Sequence, residues 1–153
     1  IAGIISSYAI IPNSDIRKKF YGWINANELD EANIFAPIAT IAAFTKGEEW
    51  RKAMLAYIED NVRFIEDYCE KNIPQIHPLR PQASFLVWLN CRELNLDHKD
   101  LLDLFIDKAH LALNDGEMFG QGGEGFMRMN IATPRSVIKQ ALDQLATAVN
   151  NLK

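Results

Sequence analysis

Arg128 is the residue of this chain whose position most demands a chemical reason. It lies in "FMRMNIA", flanked by Phe126, Met127, Met129 and Ile131, and these residue types predict a buried strand. A guanidinium in such a strand is costly unless it meets a carboxylate or a phosphate. Arg128 could pair with a structural acid such as Glu124, or point outward on an edge strand. It could also act as a bidentate clamp for a ligand carboxylate, a task suited to its planar fork. Arg135, in the first turn of the last helix, reads as a surface residue or a dimer contact.

The other reactive residue types lack a spacing that would put them to work. His77, His98 and His110 have no second ligand at a metal-binding interval, so they read as surface or capping residues and no metal site is expected. The run "FGQGGEG" resembles a phosphate cradle, but it leads into another strand and not into a helix, and no Lys-Ser or Lys-Thr follows it. It reads as a turn between strands. Glu59 and Asp60 are adjacent carboxylates, yet neighbours on a helix do not face one another. Glu59 instead has Arg63 four residues on, which predicts a solvated ion pair.

Composition narrows the partners. The 153 residues are 48% hydrophobic and 24% charged, with a net charge of −4, so nothing attracts the chain to phosphate backbones and no nucleic-acid partner is expected. No basic amphipathic stretch argues for a membrane surface, and "IFAPIATIAAF" is too short to span one. Cys69 and Cys91 stand alone, outside any CxxC pair, which predicts reduced thiols and a cytoplasmic setting. The chain opens on Ile1 inside an apolar run, without methionine or a basic leader, so the intact protein is expected to be longer at its N-terminus.

Helices and strands must position these residues. Ser14-Asp15 signal a helix start before "IRKKFYGWI". A second helical region begins at Asp30-Glu31, with Ile34, Ile38, Ile41 and Phe44 on one face. From Glu48 to about Asn72 a long amphipathic pattern carries Trp50, Met54, Tyr57, Ile58, Val62, Ile65 and Cys69 on one side. It ends before Pro74 and would be about 37 Å long, a domain-spanning helix. "SFLVWLNC" reads as a strand, Asp97 opens another helix, and "LALN" and "FMRMNIA" are further strands. Thr133 and Pro134 then start a last helix, as its cap and first residue, with Val137, Ala141, Leu145, Ala148 and Leu152 as its face. The order predicts an α+β (α/β layered) domain: a small sheet of about three strands covered by helices.

Several stretches in order, "SSYAIIPN", "AAFTKGEEWRKAMLAYIEDNVRFI", "PQASFLVWLNCR" and "ALNDGEMFGQGGEGFMRMNIATPRSVIKQAL", resemble the C-terminal part of a fold-type I pyridoxal-phosphate enzyme. The resemblance is closest to the MalY/PatB-type cystathionine β-lyases, within the class I/II aminotransferase family. Its most specific piece is a "PG..FG..G.GF.R.N.A.PR" pattern, in which this chain has Asp115 where the family commonly has proline. The resemblance implies that Arg128 holds the substrate's α-carboxylate and that Asn33, in "EANIFAP", approaches the cofactor near a subunit interface. It implies that residues 1–13 end a large domain and residues 14–153 form the small C-terminal domain. The Schiff-base lysine should lie upstream of Ile1, because Lys18, Lys19 and Lys46 sit in polar or turn contexts.

For the intact protein, expected to be a homodimer, the resemblance implies pyridoxal-phosphate chemistry on a sulfur amino acid. The cofactor acts as electron sink and a thiol leaves from Cβ. By itself this piece is expected to be inactive and to bind no cofactor stably. A pyridoxal-phosphate aminotransferase shares the Arg128 motif. The residues by themselves also allow a non-catalytic α+β domain, in which Arg128 binds a carboxylate regulator or serves an interaction.

Overall fold

The computed structural model describes residues 2–31 and 33–152. Ile1, Ala32 and Lys153 lie outside the described residues, and with them the first position of the expected 1–13 segment and one position of "EANIFAP". The chain divides into two compact units, Ile1–Ala53 and Met54–Lys153.

In the first unit, α1 spans Ser14–Ala26. Its cap is Asn13, one residue before the expected signal: the side-chain oxygen accepts from the Asp15 and Ile16 amides at 2.9 and 3.0 Å. Asp15 then complements the positive end of the helix. The second helix, α2 (Ala36–Lys46), starts later than Asp30-Glu31. Asn33 explains the delay, because its Oδ1 accepts the Phe35 amide at 2.8 Å in a local turn, and Pro37 then enters the first helical turn. The expected apolar face of α2 exists but is not covered: Ile38, Ile41 and Phe44 are 67%, 64% and 72% exposed.

The helix α3 spans Glu48–Asn72, as its periodicity predicts. Ile58, Val62, Ile65 and Cys69 form its buried stripe, whereas Trp50 is 70% exposed. The strands of the second unit are β1 (His77–Leu79), β2 (Leu86–Asn90), β3 (Asn114–Asp115) and β4 (Phe126–Asn130). They form one antiparallel sheet in the order β1-β2-β4-β3, so four strands are present where about three are expected. The added strand, β1, is three residues long around Pro78 and has no alternation to read; pairing with β2 alone defines it. The strand expected at "LALN" is confined to Asn114–Asp115, the two residues that find partners on β4.

Between β2 and β3, α4 (His98–Asp103) is capped by Asp97, whose Oδ1 accepts the Asp100 amide at 2.8 Å. A single π turn, Leu104–Lys108, continues it and buries Leu104 and Phe105. The last helix, α5, spans Arg135–Asn150. Its buried stripe is Ile138, Leu142, Leu145, Ala148 and Val149; of the expected face Leu145 and Ala148 are buried, Ala141 and Leu152 pack against the core, and Val137 is half exposed. These stripes and the inward residues Val87, Leu89, Met127 and Met129 share one core. The thiols of Cys69 and Cys91 are free and buried there, and burial pushes both up to about 12.

The start of α5 corrects two expectations. Thr133 is not its cap and Pro134 precedes the first helical residue. The Tyr57 hydroxyl instead accepts the Arg135 amide at 2.7 Å. Arg135 is no free surface residue: its Nε donates to Asn61 Oδ1 at 2.7 Å, and its guanidinium lies 5.0 Å from the Phe64 ring centroid. Asn61, fully buried, donates in turn to the Ile131 and Thr133 carbonyls at 3.0 and 3.2 Å. One amide thereby ties the end of β4 and the start of α5 to α3. Asn61→Ala is expected to destabilise the second unit by about 1–3 kcal/mol, because it strands buried carbonyls and an arginine donor. Urea denaturation should show the transition at lower denaturant with an unchanged slope.

Candidate functional site

Strand alternation decides where Arg128 points. Met127 and Met129 are buried in the core, so Phe126 and Arg128 face the other side of the sheet. The register extends this across the strands: Leu79 pairs with Trp88, Trp88 with Arg128, and Arg128 with Asn114. One cross-strand row therefore holds two apolar side chains, a guanidinium and an amide. Arg128 is on an interior strand, not on an edge.

The guanidinium has neutral company. Its Nη2 donates to Asn114 Oδ1 at 3.0 Å, and Cζ lies 4.2 Å from the Phe119 ring centroid, a cation–π distance. Its Nε is buried with no hydrogen-bond partner. No carboxylate among the described residues forms an ion pair with it. Glu124, the structural acid considered from the sequence, instead accepts the Gly122 amide at 2.9 Å. The positive charge is thus held in place without being neutralised.

The glycine-rich segment encloses this face. Asp115 Oδ1 accepts the Glu117 amide at 3.1 Å and opens a tight turn, Glu117–Phe119, which delivers Phe119 to Arg128. The segment returns so closely that a Cβ on Gly123 would lie 2.0 Å from the Gly116 carbonyl oxygen, so a larger residue there would force the backbones apart. Phe119 meets Trp88 edge-to-face at 5.3 Å, and Trp88 meets Phe126 at 6.2 Å. Leu79, Trp88, Phe119, Phe126 and the glycines line a shallow pocket of about 330 Å³.

The remaining candidates lie elsewhere. His77 contacts Glu93 at 2.8 Å, and His98, the first residue of α4, contacts Glu117 at 3.0 Å. Among the described residues no cluster of three or more His, Cys, Asp or Glu side chains could hold a metal ion. Glu59 pairs with Arg63 at 3.2 Å, as expected, and also with Arg80. Asn33 is exposed in the first unit, where its amide nitrogen lies 3.5 Å from the Ile4 carbonyl. Lys18, Lys19 and Lys46 are all exposed. The glycine loop enters a strand, and its Gly122 and Glu124 carbonyls are taken by Arg92. The lysines weighed for a Schiff base are thus not enclosed, and the loop's Gly122 and Gly123 amides are bonded to Glu124 and to the Gly120 carbonyl.

No family model matches the chain. The cystathionine β-lyase PatB of Bacillus subtilis is 33% identical over 150 residues, 98% of this chain and 39% of that protein. The chain is a relative of the MalY/PatB-type cystathionine β-lyases. Among solved structures, a pyridoxal-phosphate-bound putative aminotransferase from Clostridium difficile superimposes with a TM-score of 0.93 at 33% identity, over 97% of this chain and 38% of that one. Cystalysin from Treponema denticola, which contains pyridoxal 5′-phosphate, gives 0.91 at 32% identity over 100% of this chain and 39% of that one. The chain thus spans about two fifths of the length of these relatives. At Asp115, where the resemblance leads to the expectation of proline, a side-chain hydrogen bond to the Glu117 amide begins the turn.

Sequence reasoning missed Asn114, Trp88 and Phe119 as surroundings of Arg128. Only Trp88 left a usable signal, as the central residue of a short apolar strand; the register that sets it opposite Arg128 belongs to the fold. Asn114→Asp should supply the carboxylate the guanidinium lacks. Thermal stability is expected to be unchanged or slightly raised, while affinity for a carboxylate ligand at Arg128 falls by about tenfold. Ligand titrations of both proteins would measure it.

Proposed function

We propose that this chain is the small C-terminal domain of a pyridoxal-phosphate-dependent C–S β-lyase acting on a sulfur amino acid, with Arg128 as the clamp for the substrate's α-carboxylate. The observation that carries the proposal is the state of Arg128: a guanidinium on an interior strand, oriented by the Asn114 amide and the Phe119 ring, with a buried Nε–H unpartnered and no carboxylate paired to it among the described residues. A carboxylate ligand would both satisfy that donor and neutralise the charge. The relatives support the lyase reading, since PatB is named a cystathionine β-lyase.

In this proposal residues 1–13 end the large domain, and the longer protein is a cytoplasmic homodimer whose Asn33 segment lies near the cofactor. This chain binds and orients the carboxylate; it holds neither the Schiff-base lysine nor the seat of the cofactor, so by itself it is inactive. The relatives are about two and a half times as long, which leaves room for both elsewhere. No helix among the described residues is long and apolar enough to cross a membrane.

Arg128→Ala in the longer protein is expected to raise KM for the amino-acid substrate by roughly 10- to 150-fold, the loss of a charge-assisted pair of about 1.5–3 kcal/mol. A variant that handled the substrate like wild type would make Arg128 a structural residue. Mixed with pyridoxal phosphate, the longer protein should show a visible absorbance band of bound cofactor, and the 153-residue chain should not. A stable band on the short chain would overturn the division of labour.

A further inference from the structure

Arg92 stands two residues beyond the end of β2 and does not touch Arg128. Its Nε donates to the Glu124 carbonyl at 3.0 Å and its Nη2 to the Gly122 carbonyl at 3.3 Å. Its Cζ lies 4.6 Å from the centroid of the Phe126 ring. Gly125 makes room for it: φ there is +76°, and a Cβ would lie 2.7 Å from Arg92 Cγ. The backbone closes at the same place, with the Cys91 amide donating to the Gly125 carbonyl at 2.9 Å. One side chain therefore grips two alternate carbonyls of the glycine loop and fastens them to the end of β2. A guanidinium can do this because its donors have a fixed spacing, which an ammonium lacks.

The hydrogen bonds within the loop do not replace that grip. The Gly122 amide bonds to Glu124 and the Gly123 amide to the Gly120 carbonyl, and the Gly116–Phe126 and Phe126–Gly123 backbone bonds close the loop's base on β4, but none of these holds the Gly122 and Glu124 carbonyls as Arg92 does. Phe119 stands at the start of the loop, 46% exposed, and meets Arg128 and Trp88 through ring contacts. Such contacts hold a ring only as firmly as its backbone is held.

We infer that Arg92 is a positioning residue for the carboxylate clamp: by fastening Gly122–Gly125 to β2 it keeps Phe119 against the Arg128 guanidinium. The inference rests on the reading of Arg128 as that clamp. A loosened loop lets Phe119 leave, so Arg128 enters binding with more rotamers to lose, and affinity falls. The reacting groups are untouched, so the effect belongs in KM.

The test uses the longer, cofactor-loaded protein with Arg92→Met, Arg92→Lys and Gly125→Ala. Arg92→Met keeps the stem that packs beside Gly125 and loses the fork. Arg92→Lys keeps the charge near Phe126 but not the paired carbonyl bonds, and Gly125→Ala displaces the staple from the loop side. Each is expected to raise KM for the amino-acid substrate by about three- to tenfold, with kcat within about twofold of wild type. Amide hydrogen exchange followed by mass spectrometry should speed up by about tenfold or more in residues 117–125 and stay unchanged in α3 and α5. If Arg92→Met does not fold, the other two variants carry the measurement. Unchanged loop exchange, or a loosened loop with wild-type KM, overturns the inference. Arg128→Ala separates the levels: if it raises KM and the Arg92 variants do not, only the role of Arg92 fails; if it too leaves KM unchanged, the clamp reading fails first.

Discussion

The pleat of β4 is the constraint on which the rest of the second unit depends. Successive strand residues face opposite sides, so burying Met127 and Met129 fixes Phe126 and Arg128 on the open face. A slip of one residue would drive a guanidinium into the core and two methionines out of it, a cost of several kcal/mol that no local rearrangement could offset. The register is therefore strongly specified, and it aligns Trp88 and Asn114 with Arg128 from strands distant in sequence.

That strand is held at both ends by neutral polar groups. At its C-terminal end the buried Asn61 amide bonds to Ile131 and Thr133, and Arg135 completes the set with Tyr57 beside it. At its N-terminal end the glycine loop folds back until Gly116 and Gly123 touch, and Arg92 grips its carbonyls. In both places an arginine is satisfied by carbonyl or amide oxygens. Arg128, between them, has one such oxygen and a ring. What sets Arg128 apart is its Nε, which is buried with no hydrogen-bond partner.

The first unit follows a different balance. Its helices have caps, turns and periodicity, yet Ala36 is its buried apolar residue among those described, while Ile38, Ile41 and Phe44 remain exposed. Local signals suffice to form α1 and α2, because capping and backbone hydrogen bonds act over a few residues. Covering a face requires another layer, and helix periodicity carries no information on whether that layer is present.

The sequence by itself determined the α+β class, the full extent of α3, the strands β2 and β4, and the singularity of Arg128, because each depends on periodicity or on the cost of a charge among apolar neighbours. The resemblance in "GEGFMRMNIATPR" added the family and a role for the arginine. Tertiary structure decided what no local pattern encodes. It made a strand of His77–Leu79, whose only warrant is its partner. It moved the start of α5 and turned Arg135 inward, because Tyr57 and Asn61 on α3 offered acceptors for its backbone amide and its Nε. It also turned Glu124 to its own loop and left Arg128 to Asn114, since pairing between residues 14 apart is set by strand register and not by charge alone.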